Sequence, residues 1–204
     1  MWCVPQLDQE YLQRIEAALE VLNRPLDKRA RLVALDERPV QWLDSLRPAN
    51  VFCVVEPKTG RHQTHATKNR TAAQFARALK QIAGGYPVAR TIHLVLDNLN
   101  THREKSLIAT FGVQAGHRLW RRFTVHYTPK HGSWLNPAEL EASLWSRQCL
   151  GRQRVASLAE LRQRTSAWNR WVNRIKLKID WRFSTADARR VFHYQRIVTH
   201  ESKH

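Results

Sequence analysis

The sequence predicts a mixed α/β fold, a five-stranded sheet flanked by helices, and three observations carry that prediction. Strand-length apolar runs stand at 31–35, 51–55, 92–96 and 123–127, each bounded by charged or turn-forming residues. Pro57-Lys58-Thr59-Gly60 is a hairpin signal that returns the second run as an antiparallel partner over 61–67. Helically spaced apolar residues then alternate with the later runs, which calls for a sheet covered by helices.

In order, 7–22 reads as an amphipathic helix. Leu7, Tyr11, Ile15, Leu19 and Leu22 share one face, and Arg24-Pro25 ends it. The first strand, 31–35, finishes on Asp36-Glu37; after Arg38-Pro39, residues 40–43 either extend it or turn away. A turn at 47–50 leads into the second strand and its hairpin. Residues 71–83 form a helix with Phe75, Leu79 and Ile82 on one face, stopped by Gly84-Gly85. The strand at 92–97 is followed by a helix at 103–111 and a strand at 123–127. Another helix starts at Pro137 with Asn136 as its cap and runs to about Leu150, where Gly151 ends it. Helices at 158–172 and 185–194 complete the chain. A three-stranded antiparallel opening followed by β and α units is the order a ribonuclease-H-like fold requires. The expected organisation is a helical lead-in at 1–28, a core at 29–155, and a basic helical extension of the same domain at 156–204.

With 204 residues, 43% of them hydrophobic, and eight Trp, the chain can bury a core of its own. Its net charge of +17 favours a polyanionic partner, nucleic acid before others. From Arg147 onward there are fourteen Lys or Arg against four Asp or Glu, so the C-terminal end is the more basic. Three scattered cysteines make no disulfide framework or CxxC pair, and no apolar run is long enough for a membrane span. The expected setting is cytoplasmic and nucleoid-associated, without a membrane partner.

Asp36 and Asp97 each close an apolar strand, and ligands of open α/β sheets gather at that edge. If the two strands are neighbours, the carboxylates repel unless a cation lies between them, and Mg²⁺ takes such hard oxygen ligands. A third acid from the helix after Pro137 would complete a two-metal site suited to phosphodiester chemistry. Asp is also ordinary turn chemistry at strand ends, and the pattern alone leaves both readings open.

Two long segments then resemble a known family. Leu94-Val95-Leu96-Asp97-Asn98-Leu99-Asn100-Thr101-His102 and Tyr127-Thr128-Pro129-Lys130-His131-Gly132-Ser133-Trp134-Leu135-Asn136-Pro137-Ala138-Glu139 look like the catalytic segments of the IS630 family of transposases, within the IS630/Tc1/mariner superfamily. Leu35-Asp36-Glu37-Arg38-Pro39 is similar to the first catalytic segment, Asp180 to Arg189 to the C-terminal signature, and Trp2-Cys3-Val4-Pro5 to the junction ahead of the catalytic domain. The resemblance implies a DDE triad of Asp36, Asp97 and Glu139 that binds two Mg²⁺ or Mn²⁺ ions. It implies cleavage of transposon ends and transfer of the freed 3′-hydroxyl to target DNA by cut-and-paste transposition.

Glu139 matches the acid of the family's Asn-Pro-x-Glu motif. Glu141 lies about 200° further round the helix and is expected to be a solvated surface acid. Lys130 and His131 are candidate contacts to the scissile phosphate, and Arg147, Arg152 and Arg154 to DNA. Asn98 is a candidate to orient Asp97, His102 is expected to be structural, and Trp168 and Trp171 are expected in the core rather than against bases. Expected partners are double-stranded DNA, a second copy of the chain, and a helix-turn-helix module on a preceding segment or separate polypeptide. The stretch between Asp36 and Val51 is short where the family carries a basic clamp loop that reaches a partner subunit. A non-catalytic DNA-binding remnant and a simple nuclease of the same fold are therefore alternatives.

Overall fold

A computed structural model describes residues 7–41 and 48–195. The resembling junction Trp2–Pro5 and most of the short stretch after Val40 lie outside the described residues. The elements run α1 (Gln9–Asn23), β1 (Ala30–Val40), β2 (Ala49–Glu56), β3 (Arg61–His62), β4 (His65–Thr67), α2 (Ala72–Gly84), β5 (Thr91–Leu96), α3 (Glu104–Phe111), α4 (Val113–Trp120), β6 (Phe123–Tyr127), α5 (Pro137–Trp145), α6 (Leu158–Ile175) and α7 (Thr185–Phe192).

The strands form one mixed sheet in the order β3-β2-β1-β5-β6, with β4 also paired to β2. β1 lies antiparallel to β2 and parallel to β5, which is parallel to β6. The sheet has six strands rather than the expected five because the return strand after the hairpin is divided. Val55 pairs with His62 and Phe52 with His65, so β3 and β4 keep one register on β2. The first strand also runs beyond its expected end. β1 continues to Val40, held antiparallel through Val40↔Ala49, and Asp36 therefore lies inside a strand rather than at its tip.

Alternation along β1 divides the core. Val33 and Leu35 face α2, where Phe75, Leu79 and Ile82 meet Phe52, Ile92, Leu94 and Leu96. Leu32 and Ala34 face the other way, against Tyr11, Ile15 and Leu19 of α1, with Val95, Leu135 and Ala138. A third cluster lies further along that second face, where Val51 and Cys53 of β2 meet Ala142 and Trp145 of α5 and Leu161, Trp168 and Val172 of α6. α5 spans the two clusters on this face, and Asp36 falls beneath it. Each strand buried on both faces reads as a continuous apolar run.

Helix ends follow the sequence signals. Asp8 caps α1 by accepting from the Tyr11 N–H at 2.7 Å, and Asn136 caps α5 by accepting from the Ala138 N–H at 3.1 Å. Ser184 and Asp187 form a reciprocal capping box on α7. α4 is not anticipated by the sequence reading. Gly112, at φ +83°, separates it from α3, and Gly116 sits within it at a close approach to the Ile108 backbone. The helix is made by that contact, since a central glycine opposes helix formation locally. No described helix is long and apolar enough to cross a membrane.

Candidate active site

The parallel register of β1 and β5 ends at Ala34↔Val95. Two residues further on, Asp36 and Asp97 stand on the same face as that pair, because side chains alternate with period two. Glu139 lies in the first turn of α5, directly after Ala138, which packs in the cluster containing Ala34 and Val95. All three carboxylates are half-buried.

Asn136 holds this arrangement together. Its side-chain oxygen caps α5 and its Nδ2 donates to the Leu35 carbonyl at 2.9 Å. The helix carrying Glu139 is thus tied to the peptide that precedes Asp36. On the other side, the Thr128 hydroxyl donates to Asp97 Oδ1 at 2.8 Å, and the Thr128 N–H donates to the Leu96 carbonyl. His102 is buried, as expected for a structural residue, and bridges the two acid segments. Its Nδ1 lies 2.7 Å from the Asp97 carbonyl and its Nε2 lies 3.1 Å from Glu37 Oε1. Asn98 does not orient Asp97 through its amide oxygen, which instead accepts from Arg103. The anchoring roles of Asn136, Thr128 and Glu37 are not apparent from sequence beyond the Asn136 cap, because their partners are brought in by the sheet.

Burial pushes the Asp36 carboxyl up to about 6, with the negative charges of Asp97, Glu139 and Glu37 adding to the rise and the Glu37 N–H opposing it. Asp97 and Glu139 thus lie close enough for their charges to oppose ionisation of Asp36. Among the described residues, no group of three or more His, Cys, Asp or Glu side chains is close enough together to hold a metal ion as it stands. The donor set is all oxygen, anionic and partly solvated, which fits a hard divalent cation.

Glu141 is fully buried, not solvated. The turn of α5 that sends Glu139 towards the aspartates sends Glu141 beneath the hairpin. There it meets His62 Nδ1 at 2.7 Å and the Thr64 hydroxyl at 2.9 Å, while His62 Nε2 donates to the Leu177 carbonyl. Lys130 and His131 are exposed in the loop before α5, and His131 has φ +63°. That left-handed conformation costs a non-glycine residue about 1–2 kcal/mol. Gly132 follows in close contact with Pro129, where a Cβ would lie 2.4 Å from the proline ring. Arg147 is exposed in the π-helical turn Ser146–Leu150 that continues α5, and Arg152 and Arg154 are exposed just beyond it. Trp168 is core, 5% exposed, whereas Trp171 is 40% exposed.

Residues 24–162 match the family described as DDE superfamily endonuclease. The chain belongs to that family. The matched span contains Asp36, Asp97 and Glu139. The fold of this DDE endonuclease family member is similar to that of a Mos1 transposase in a paired-end complex with the left transposon end. The similarity covers 93% of this chain and 62% of that one, at 14% identity and a TM-score of 0.57. The chain thus spans less than two thirds of that protein. A weaker likeness is to a chain of the simian T-cell lymphotropic virus intasome in complex with PP2A regulatory subunit B56 gamma. There the identity is 10% and the TM-score 0.44, over 85% of this chain and 51% of that chain. Among curated protein sequences there is no significant match.

Proposed function

We propose that the chain is the catalytic domain of a DDE transposase of the IS630 type, acting on double-stranded DNA with Mg²⁺ or Mn²⁺. The observation that carries this reading is the gathering of Asp36, Asp97 and Glu139 from β1, β5 and α5 on one face, with Asp36 raised to about 6. When bound between such acids, divalent ions activate a water or 3′-hydroxyl and stabilise the leaving oxygen of a phosphodiester. Asp36, Asp97 and Glu139 would hold the ions. Thr128 and Asn136 would fix the second and third acids relative to the first. Water would add at phosphorus as the bond to the 3′-oxygen breaks, leaving a 3′-hydroxyl. That hydroxyl would then displace a 3′-oxygen in target DNA. Lys130, His131, Arg147, Arg152 and Arg154 are exposed cations available to phosphates, and the net charge of +17 supplies the long-range attraction.

A second reading, hydrolysis without joining, draws on the β1–β2 connection. Val40 pairs with Ala49, so eight residues join the two strands, where the resemblance implies a long excursion towards a partner subunit. Nicking of supercoiled plasmid in Mn²⁺ tests both. The expected result is nicked circles from the parent chain and none from Asp97→Ala. Absence of nicking by the parent, with DNA still bound, would leave a non-catalytic remnant. Nicking with no joining of a pre-cut 3′ end would favour the simple nuclease.

A further inference from the structure

Glu139 also borders a cleft of about 460 Å³ whose other walls, apart from Asn136, are apolar. Trp134 lies on one side, packed edge-on to Phe183 at 5.4 Å and tilted against Phe192 at 6.1 Å, and Trp181 completes the aromatic lining. All four rings are half-buried. Leu140 and Val191 also line it and are 53% and 49% exposed. The volume is within the range of small-ligand sites, roughly 300–1,000 Å³. The Trp181 Nε1–H is already engaged by the Phe183 carbonyl, so this indole offers its ring rather than its donor.

We propose that this cleft takes one unstacked nucleobase of the DNA strand held at the acids, a reading that rests on the proposed function. The cleft begins at Glu139, and the charges of one strand are spaced about 3.4 Å along the axis of a duplex. A phosphate at the acid cluster therefore brings neighbouring bases to the cleft mouth. Aromatic faces are sequence-tolerant platforms for bases. Cations stand beside this lining in the chain. Arg182 follows Trp181 and Arg190 precedes Val191, with side chains 86% and 77% exposed. Their ion pairs with Asp180 and Asp187 are surface pairs, which exchange readily for phosphate. A paired base inside a duplex cannot enter, so frayed, nicked or single-stranded DNA is the favoured form. An apolar peptide would fill the same cleft, but it would not bring the phosphate that Arg182 and Arg190 attract.

The test compares the full chain's affinity for a thymidine dodecamer with that for an abasic dodecamer of equal charge. The dodecamer with bases should bind about 5- to 150-fold more tightly, the range expected for one stacked base. Trp181→Ala should reduce that ratio towards one, and Trp171→Ala, on exposed α6 surface, should leave it unchanged. Because Trp181→Ala could perturb folding, a dodecamer carrying one 5-iodouracil is photo-crosslinked to the unaltered chain. Crosslinks at Trp134, Trp181, Phe183 or Phe192 support the cleft. Equal binding of the two dodecamers, or crosslinks confined to other residues, overturns it. Plasmid nicking reports separately. Nicking retained with no base preference rejects the cleft alone, whereas base preference in the cleft without nicking supports the cleft and rejects the catalytic reading.

Discussion

Asp36 keeps its proton to about pH 6 because burial opposes its charge and Asp97, Glu139 and Glu37 oppose it further. Its ordinary value is 3.8, so between the two values the folded chain binds more protons than the unfolded one. Stability contributed by this group therefore falls as pH rises from about 4 to 6, and at neutral pH the deficit is on the order of 3 kcal/mol. Asp36→Asn removes the buried charge and should raise the Tm of the metal-free chain at pH 7.5 by roughly 6–12 °C. The gain should vanish towards pH 4. His65 and His126, each lowered to about 4 chiefly by burial, act in the opposite sense. The unfolded chain protonates them first, so stability is lost as pH falls below about 6.5. That loss is common to parent and variant and cancels in their difference. Thermal melts across this pH range decide the matter, and an unchanged or lowered Tm for Asp36→Asn at pH 7.5 would contradict the coupling.

α5 carries two acids with opposite tasks. Glu139 faces the aspartates, while Glu141 and His62 form an ion pair with no exposed side-chain surface. The pair joins α5 to β3 and, through the Leu177 carbonyl, to the chain leaving α6. That chain also lies against Gly60, whose φ is +68° and whose Cβ would meet the Lys176 backbone at 2.5 Å. Glu141→Ala leaves His62 Nδ1 and the Thr64 hydroxyl buried without this partner, and should cost about 1–3 kcal/mol for each in urea unfolding. Glu141→Leu combined with His62→Phe should lose less than either substitution alone. Additive losses would show that the two residues do not act as a pair. A heptad or turn pattern conveys nothing of this contact, since 79 residues separate its members.

Over the whole molecule, α6 closes the open edge of the sheet with side chains. Asn173 accepts from the His62 N–H and donates to its carbonyl. Asn169 does the same for Thr64, and Arg162 Nε donates to the Ala66 carbonyl. These groups stand where another strand would pair, and an uncovered edge is a template for association. Replacing both Asn169 and Asn173 by Ala should leave buried backbone groups unpaired, at about 1–3 kcal/mol each, and should promote concentration-dependent aggregation. Light scattering during size-exclusion chromatography measures this. A monodisperse double variant with unchanged Tm would remove the edge-covering role.

Strand and helix existence was legible wherever one local signal dominated: the apolar runs of β1, β2 and β5, the Asn136-Pro137 start of α5, and the spacing of Phe75, Leu79 and Ile82 in α2. The aspartates and Glu139 were legible as candidates because acids beside such elements form a local pattern. The sequence by itself determined the class of fold, the basic character and the set of acids available. Tertiary structure alone decided that β1 runs past Asp36, that Gly116 belongs in a helix, and that Glu141 is buried while Glu139 is half-exposed. Those outcomes depend on partners far along the chain, where pairing to β2, contact with α3, and neutralisation by His62 outweigh what the local sequence prefers.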